Sequence, residues 1–290
     1  MKFSVIIPTY NDWERLTKCL NALQQQTISR DQYEVIVVDN GERGEIPSGI
    51  TLPDWVRLIH EPKPGSYIAR NTGAYKARGE FLAFTDSDCI PDINWLANAE
   101  KCFNRSSCDL VGGKVQIFQD DEQNKYGYLY ESSTAFPQHK NVPAGKGVTA
   151  NLFVKKQVFN ERGGFSSTIK SGGDWEFTKH CTNNGHKMVY CKDVMVLHPA
   201  RTIANIFKKQ RRLTCGGALN MKEKFGHSYL RMLGSHLIHG PKYHRENISG
   251  ELSKGERVVV YSIDMLKYTY RALLYSGMFL RLIDPTKIRE

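Results

Sequence analysis

Two aspartates one residue apart, Asp86 and Asp88 in Phe84-Thr85-Asp86-Ser87-Asp88, follow directly on the apolar run Phe81-Leu82-Ala83-Phe84. In an extended chain alternate side chains point the same way, so both carboxylates face one side. Such oxygen ligands suit Mg2+ or Mn2+, ions that keep room for substrate phosphates. One aspartate can hold the metal while its neighbour contacts a ribose. The same triplet is also an ordinary turn after a strand, so alone it decides little. His198, after the strand-like Val196-Leu197, offers an imidazole that suits Mn2+ better than Mg2+, or else it is a structural histidine. Arg70 either meets a phosphate or sits on a helix surface. Asp39 heads Asp39-Asn40-Gly41, as a ligand contact or as the cap of that turn. Asp174 precedes a short helical segment and can serve as its N-cap.

The elements around these residues are readable from their periodicity. Phe3 to Pro8 is a buried strand, closed by Pro8. Asn11 and Glu14 have capping-box spacing, and Leu16, Leu20 and Leu23 recur at helical intervals, which predicts an amphipathic helix from Asp12 to Gln25. Strands follow at Tyr33 to Val38, Val56 to His60 and Phe81 to Phe84, with a helix from Ser66 to Ala77 between Gly65 and Gly79. The strands are continuous apolar runs, and they alternate with helices. That pattern predicts an α/β fold with a mainly parallel sheet covered on both faces. Ligands of such sheets bind beyond the carboxyl ends of the strands. Pro8-Thr9-Tyr10, Asp39-Asn40 and Asp86-Ser87-Asp88 all stand at such ends, and three polar clusters converging on one crevice say more than any one alone. Further on, residues 120–146 are polar and aromatic and read as an acceptor-side loop or flap. Gly147 to Val154 returns to strand character, Trp175 to Cys181 is a short helix, and Met188 to Cys191 and Val194 to Leu197 are two strand-like stretches. Residues 201–290 read as helical.

Taken together, Val5-Ile6-Ile7-Pro8-Thr9-Tyr10-Asn11, Val37-Val38-Asp39-Asn40-Gly41, Ala69-Arg70-Asn71-Thr72-Gly73, Phe84-Thr85-Asp86-Ser87-Asp88 and Gly172-Gly173-Asp174-Trp175-Glu176 resemble the motifs of family 2 glycosyltransferases, in the family's order, over about residues 3–200. The resemblance implies the Rossmann-like GT-A fold and an inverting, hexosyltransferase-type enzyme. The donor would be a nucleotide-sugar, a UDP-sugar before a GDP- or dTDP-sugar. The acceptor would be a glycan or lipid-linked hydroxyl in cell-surface polysaccharide synthesis. It implies that Pro8, Thr9, Tyr10 and Asp39 hold the nucleobase end, that Asp86 faces the ribose or the metal, that Asp88 binds Mn2+ or Mg2+, and that Asp174 is the catalytic base. His198 would complete the metal shell or contact the diphosphate. The family often carries an acidic residue before this aspartate; here Gly173 stands there, which puts a paired carboxylate at that point in doubt. Lys209-Gln210-Arg211-Arg212-Leu213 lacks the spacing of the QxxRW motif of processive members, so a single addition is expected.

Composition narrows the alternatives. The 290 residues, 40% of them hydrophobic, suffice for a catalytic domain plus an appendage. Seven cysteines without a CxxC pair suggest a reduced, cytoplasmic protein. No secretory leader and no membrane span are read. The net charge of +10 sits in residues 201–290, which hold 17 Lys+Arg against 7 Asp+Glu, while the preceding 200 residues balance at 23 and 23. We therefore expect residues 1–200 to form the nucleotide-sugar-binding and catalytic domain and 201–290 a basic helical extension. It is expected to meet an anionic membrane surface on the inner face or a phosphorylated lipid acceptor, or else to pack on the catalytic domain or a second subunit or face only solvent; nucleic acid is disfavoured. Arg201, Lys208, Arg211 and Arg212 clamp a diphosphate or face lipid. A nucleotidyltransferase would carry an early glycine-rich, basic loop, which Pro8-Thr9-Tyr10-Asn11 is not. A non-catalytic nucleotide-sugar-binding module is opposed by the presence of Asp86, Asp88 and Asp174.

Overall fold

The structure is a computed structural model, and it describes the chain except for residues 43, 170, 247–251 and 288–290. The side chains of residues 122, 224, 225 and 241–246 are likewise not described. The predicted extension therefore includes two stretches outside the described residues.

The chain begins with β1 (Phe3–Thr9), α1 (Trp13–Gln24), β2 (Tyr33–Asp39), β3 (Val56–His60), α2 (Ser66–Tyr75) and β4 (Phe81–Thr85). It continues through β5 (Ile90–Pro91), α3 (Trp95–Ser106), β6 (Leu110–Phe118), α4 (Lys125–Thr134), α5 (Gln138–Asn141), β7 (Asn151–Lys155), α6 (Lys156–Arg162), α7 (Gly173–Asn183) and β8 (Met188–Pro199). Three long helices follow, α8 (Ile203–Phe225), α9 (Tyr229–Glu246) and α10 (Lys254–Phe279).

One eight-stranded sheet runs in the order β3-β2-β1-β4-β7-β6-β8-β5. Pairing is parallel from β3 to β4, as the alternating first 85 residues predict. Beyond β4 it turns antiparallel, at β4–β7, β6–β7 and β5–β8, so the sheet is mixed rather than mainly parallel. The reversal belongs to β7: α4, α5 and irregular chain lead into it, and it enters beside β4 from the opposite end, whereas β6, reached through α3, is antiparallel to β7 as β4 is and so runs the same way as β4. The strands at the centre are buried on both faces, and the two apolar layers above and below the sheet are distinct clusters. Small residues set the close approaches. A Cβ at Gly73 would lie 2.8 Å from Ile6 Cγ2, so only glycine lets α2 rest this near the sheet.

Several local expectations change. Asn11 and Glu14 form no capping box. Asn11 takes a left-handed backbone (φ 53°), and the cap position falls to Asp12, whose carboxylate makes no capping bond and accepts a hydrogen bond from Ser87 instead. The two strand-like stretches after residue 188 are one strand, β8. The supposed flap is mostly helical: α4 and α5 account for much of residues 120–146.

The chain divides into two compact units. The first comprises residues 1–116, 136–168 and 173–198. The second takes 117–135, 169–172 and 199–290, so the helical part recruits α4 as well as α8 to α10. Within the second unit Tyr130 donates to Asp264 (2.9 Å) and Lys267 donates to the same phenol (2.7 Å), while Arg201 pairs with Glu131 (3.1 Å). Ser253 and Glu256 close a capping box at the start of α10. No helix of the described residues is long and apolar enough to cross a membrane.

Candidate active site

Strand order reverses between β1 and β4, which makes this gap the topological switch point of the parallel half. The register shows the gap opening. β1 pairs with β2 as far as Thr9↔Asp39 but with β4 only to Ile6↔Phe84. Ile7-Pro8-Thr9 and Thr85-Asp86 thus part company at their carboxyl ends.

On the β1–β2 side Asp39 is buried. Its Oδ1 accepts the Gly41 N–H (2.9 Å), and its Oδ2 lies 3.6 Å from His60 Nδ1. A Cβ at residue 41 would stand 3.0 Å from that Oδ1, so the glycine keeps the carboxylate edge open. Asn40 ties the loop together through Glu61 and Lys63 carbonyls (2.7 Å each) and the Gly65 N–H (2.9 Å). Thr9 is buried, and its hydroxyl has no hydrogen-bond partner among the described residues. A buried orphan hydroxyl costs free energy unless something fills its valence, which is what a bound ligand would do. Pro8 is half-buried, and Tyr10 is 51% exposed at the mouth of the crevice.

On the β4 side Asp86, Asp88 and His198 each offer a ligand atom, and the three atoms lie within 4.8 Å of one another. His198 Nε2 is 3.5 Å from Asp88 Oδ2, and its buried ring packs on Phe136 (centroids 5.0 Å). Two carboxylates and an imidazole are a donor set that fits Mn2+ well and Mg2+ less well. β8 delivers the histidine and β4 the aspartates, elements far apart in sequence. Asp12 stands beside them through Ser87; burial raises its carboxyl above the usual range, with Arg15 opposing and Asp88 adding to the rise.

α2 links this cluster to Asp174. Arg70, buried, pairs with Asp86 through one guanidinium nitrogen, while its Nε has no hydrogen-bond partner among the described residues. One turn earlier, Tyr67 donates to Asp174 Oδ1 (3.1 Å), and the Arg70 guanidinium lies 5.7 Å from the Tyr67 ring centroid. Asp174 is not an N-cap: α7 begins at Gly173, and the aspartate sits in its first turn, accepting the Trp175 N–H (2.9 Å). Burial raises its carboxyl, opposed by that N–H, by Arg70, by Tyr67 and by the Thr149 N–H. Gly173 also has a physical reason. A Cβ there would lie 2.8 Å from the Tyr67 ring, so a larger residue before Asp174 and this tyrosine exclude one another. Trp175 is 37% exposed beside the aspartate, with Lys146 Nζ 5.1 Å from its ring centroid. Glu176 turns away to Arg162 (2.8 Å).

The first unit thus gathers all nine residues singled out in the sequence, Pro8, Thr9, Tyr10, Asp39, Arg70, Asp86, Asp88, Asp174 and His198. Tyr67, His60, Asp12 and Trp175 were missed. Tyr67 had a usable signal, since it lies three residues before Arg70 and shares its helix face.

Known proteins share both sequence and architecture with this chain. The family model described as glycosyl transferase family 2 matches residues 4–169. The chain is similar to the glycosyltransferase AglE of Haloferax volcanii, 38% identical over 219 residues, which is 73% of this chain and 72% of that protein. It is also similar to the glycosyltransferase GlyG of Streptococcus pneumoniae, 31% identical over 43% of each chain. Among solved structures it resembles S. aureus TarS 1–349 in complex with UDP, with a TM-score of 0.54, 17% identity and coverage of 97% of this chain and 92% of that one. It resembles the mannosyltransferase PcManGT from Pyrobaculum calidifontis in complex with GDP-Man and Mn2+, with a TM-score of 0.58, 19% identity and coverage of 98% and 88%. The fold is GT-A.

Proposed function

The chain belongs to glycosyl transferase family 2, and we propose that it moves a single hexose, with inversion, from a nucleotide-sugar to a hydroxyl of a glycan or glycolipid acceptor in cell-surface polysaccharide synthesis. One observation carries the reading: a single turn of α2 holds Asp174 through Tyr67 and Asp86 through Arg70, which ties the half-buried Asp174 to the carboxylate–imidazole cluster.

In this reading the β1–β2 side, with Pro8, Thr9, Tyr10 and Asp39, takes the nucleobase end of the donor. Arg70 meets the diphosphate with the nitrogen it has to spare. A divalent cation, Mn2+ or Mg2+, held by Asp88 and His198 with Asp86 facing it or the ribose, would neutralise charge developing on the leaving diphosphate. Asp174 accepts the proton of the acceptor hydroxyl as its oxygen attacks the anomeric carbon. The new C–O bond forms as the bond to the diphosphate breaks, and the nucleoside diphosphate departs with that electron pair. Trp175, beside Asp174, supplies an aromatic face for the apolar side of the acceptor sugar ring. A UDP-sugar stands first because TarS 1–349 is solved with UDP and with UDP-GlcNAc; PcManGT, solved with GDP-Man, keeps the guanine donor in the screen. A lipid-linked acceptor would be met at the inner face of the membrane, with the enzyme peripheral to it.

A thermal-shift screen of UDP-, GDP- and dTDP-sugars tests the donor reading, because a ligand that binds only the folded state raises its melting temperature. One nucleotide class should raise it with Mn2+ present, and chelation should remove most of the rise. No shift with any nucleotide would sink the reading. A shift without release of nucleoside diphosphate on adding acceptor glycans would favour a binding module.

A further inference from the structure

α10 carries its polarity the wrong way round for a helix bounded by water. Its inward face holds Val260, Ile263, Leu274 and Met278, and with them the charged side chains of the helix centre. Asp264 and Lys267 both bond to Tyr130, and Arg271 bonds to the Tyr275 hydroxyl (3.1 Å). The outward face has none. At about 3.6 residues per turn, Val258, Tyr261, Met265, Leu266, Leu273 and Leu280 share one side, interspersed only with Ser262, Thr269 and Ser276. Those apolar side chains are exposed, Val258 at 64%, Leu266 at 59%, Leu273 at 62% and Leu280 at 61%. Single exposed leucines are ordinary, but a continuous uncharged stripe of this length marks a contact surface.

Charge at the ends of the stripe indicates what covers it. Lys254 and Arg257 are exposed at one end, Arg281 and Lys287 at the other. Among the described residues the nearby acids are engaged locally, Glu256 in the capping box and Asp284 with Thr286 and, at 4.0 Å, with Lys287, which leaves Arg281 as the unopposed charge of that end. A second copy laid on the stripe would bring basic ends together whether the helices ran parallel or antiparallel, which disfavours a dimer. An anionic bilayer meets both needs, apolar depth under the stripe and negative headgroups under its ends. No described helix is apolar enough to span, so α10 would lie in the plane of the interface.

We propose that the outward face of α10 docks the protein on an anionic lipid surface. This gives the lipid-linked acceptor reading its site of contact but does not depend on the catalytic assignment, which the donor screen tests separately. The full chain should sediment with phosphatidylcholine vesicles containing phosphatidylglycerol, should remain in the supernatant with phosphatidylcholine alone, and should be released by high salt. Leu266→Glu with Leu273→Glu changes only exposed side chains. It should weaken vesicle binding by about ten-fold or more while the melting temperature and far-ultraviolet circular dichroism stay at wild-type values. Lys254→Glu with Arg257→Glu should weaken it as well and flatten the salt dependence. The proposal is overturned if the wild type stays in the supernatant at low salt. It is equally overturned if the leucine variant binds as the wild type does, or if sedimentation velocity shows a dimer that this variant breaks while neither protein binds vesicles.

Discussion

Asp174 shows how much chemistry one carboxyl can draw from its surroundings. Burial lifts its pKa, and the Trp175 N–H, Arg70 and Tyr67 pull it back, so its proton affinity is set by partners that can be removed singly. Tyr67→Phe deletes a donor that favours the ionised form. The acid limb of the pH–kcat profile should then move to higher pH; a limb that stays in place would mean that Tyr67 plays no part in tuning the base. Trp175 makes no comparable bond to the carboxyl side chain through its indole. Trp175→Ala should raise the acceptor KM about ten-fold, on the order of 1.4 kcal/mol, with donor KM moving far less. Steady-state kinetics with both substrates varied would read this, and an equal rise in both constants would deny Trp175 an acceptor role. At this scale the sequence was informative wherever a side chain follows a strand. The aspartates at 39, 86 and 88 and the histidine at 198 drew notice because they stand at or just past strand ends, and the resemblance to family 2 glycosyltransferases supplied the roles expected of them. Tyr67 and His60 escaped it because their roles arise from contacts across elements, with Asp174 lying 107 residues from its tyrosine.

At the scale of elements, two glycines separate stability from chemistry. At Gly79 a Cβ would lie 2.6 Å from the backbone of Phe3 and Ser4, at the amino-terminal ends of the central strands β1 and β4, opposite the strand ends that bear the site. Backbone cannot yield as a side chain can, so Gly79→Ala should cost about 1–3 kcal/mol of stability or more with turnover per folded molecule unchanged. At Gly173 the obstacle is the Tyr67 ring. Gly173→Ala should displace the ring from Asp174 and lower turnover in a protein that still melts cooperatively. Melting curves with kcat normalised to folded protein distinguish the two; an active Gly173→Ala would show that the tyrosine–aspartate contact is dispensable. The parallel half of the sheet was readable because continuous apolar runs alternate with helices there. In the other half β7 and β8 were legible as strand-like stretches, but β5, two residues long, and β6 were not, and nothing in the pattern showed that β7 runs antiparallel to its neighbours. The capping box that spacing allowed at Asn11 is absent because Asn11 takes a left-handed backbone and the cap position passes to Asp12.

For the molecule as a whole, composition suggests a boundary near residue 200, whereas the compact units interleave, the second taking residues 117–135 and 169–172 as well as 199–290. The first unit is drawn from the charge-balanced segment, and α10 carries an uncharged face that composition could not reveal, because the charges at the centre of that helix lie on its other side. The second unit also takes in α4, a recruitment invisible in a charge count. The proposed transfer rests on one carboxyl in the first unit, and the neutral variant Asp174→Asn isolates it. Asparagine can still accept from Tyr67 and from the Trp175 N–H. The raised pKa means that the folded state holds this proton to higher pH than the unfolded chain, so ionising the carboxyl lowers stability as pH rises past the ordinary carboxylate range. The amide escapes that cost, and the variant should melt no lower than the wild type at neutral pH. The decisive measurement is its turnover with the donor identified by thermal shift. The account predicts unaltered donor affinity with kcat reduced roughly 10²–10⁴-fold, the usual worth of general base catalysis; wild-type kcat in a folded Asp174→Asn protein would contradict it.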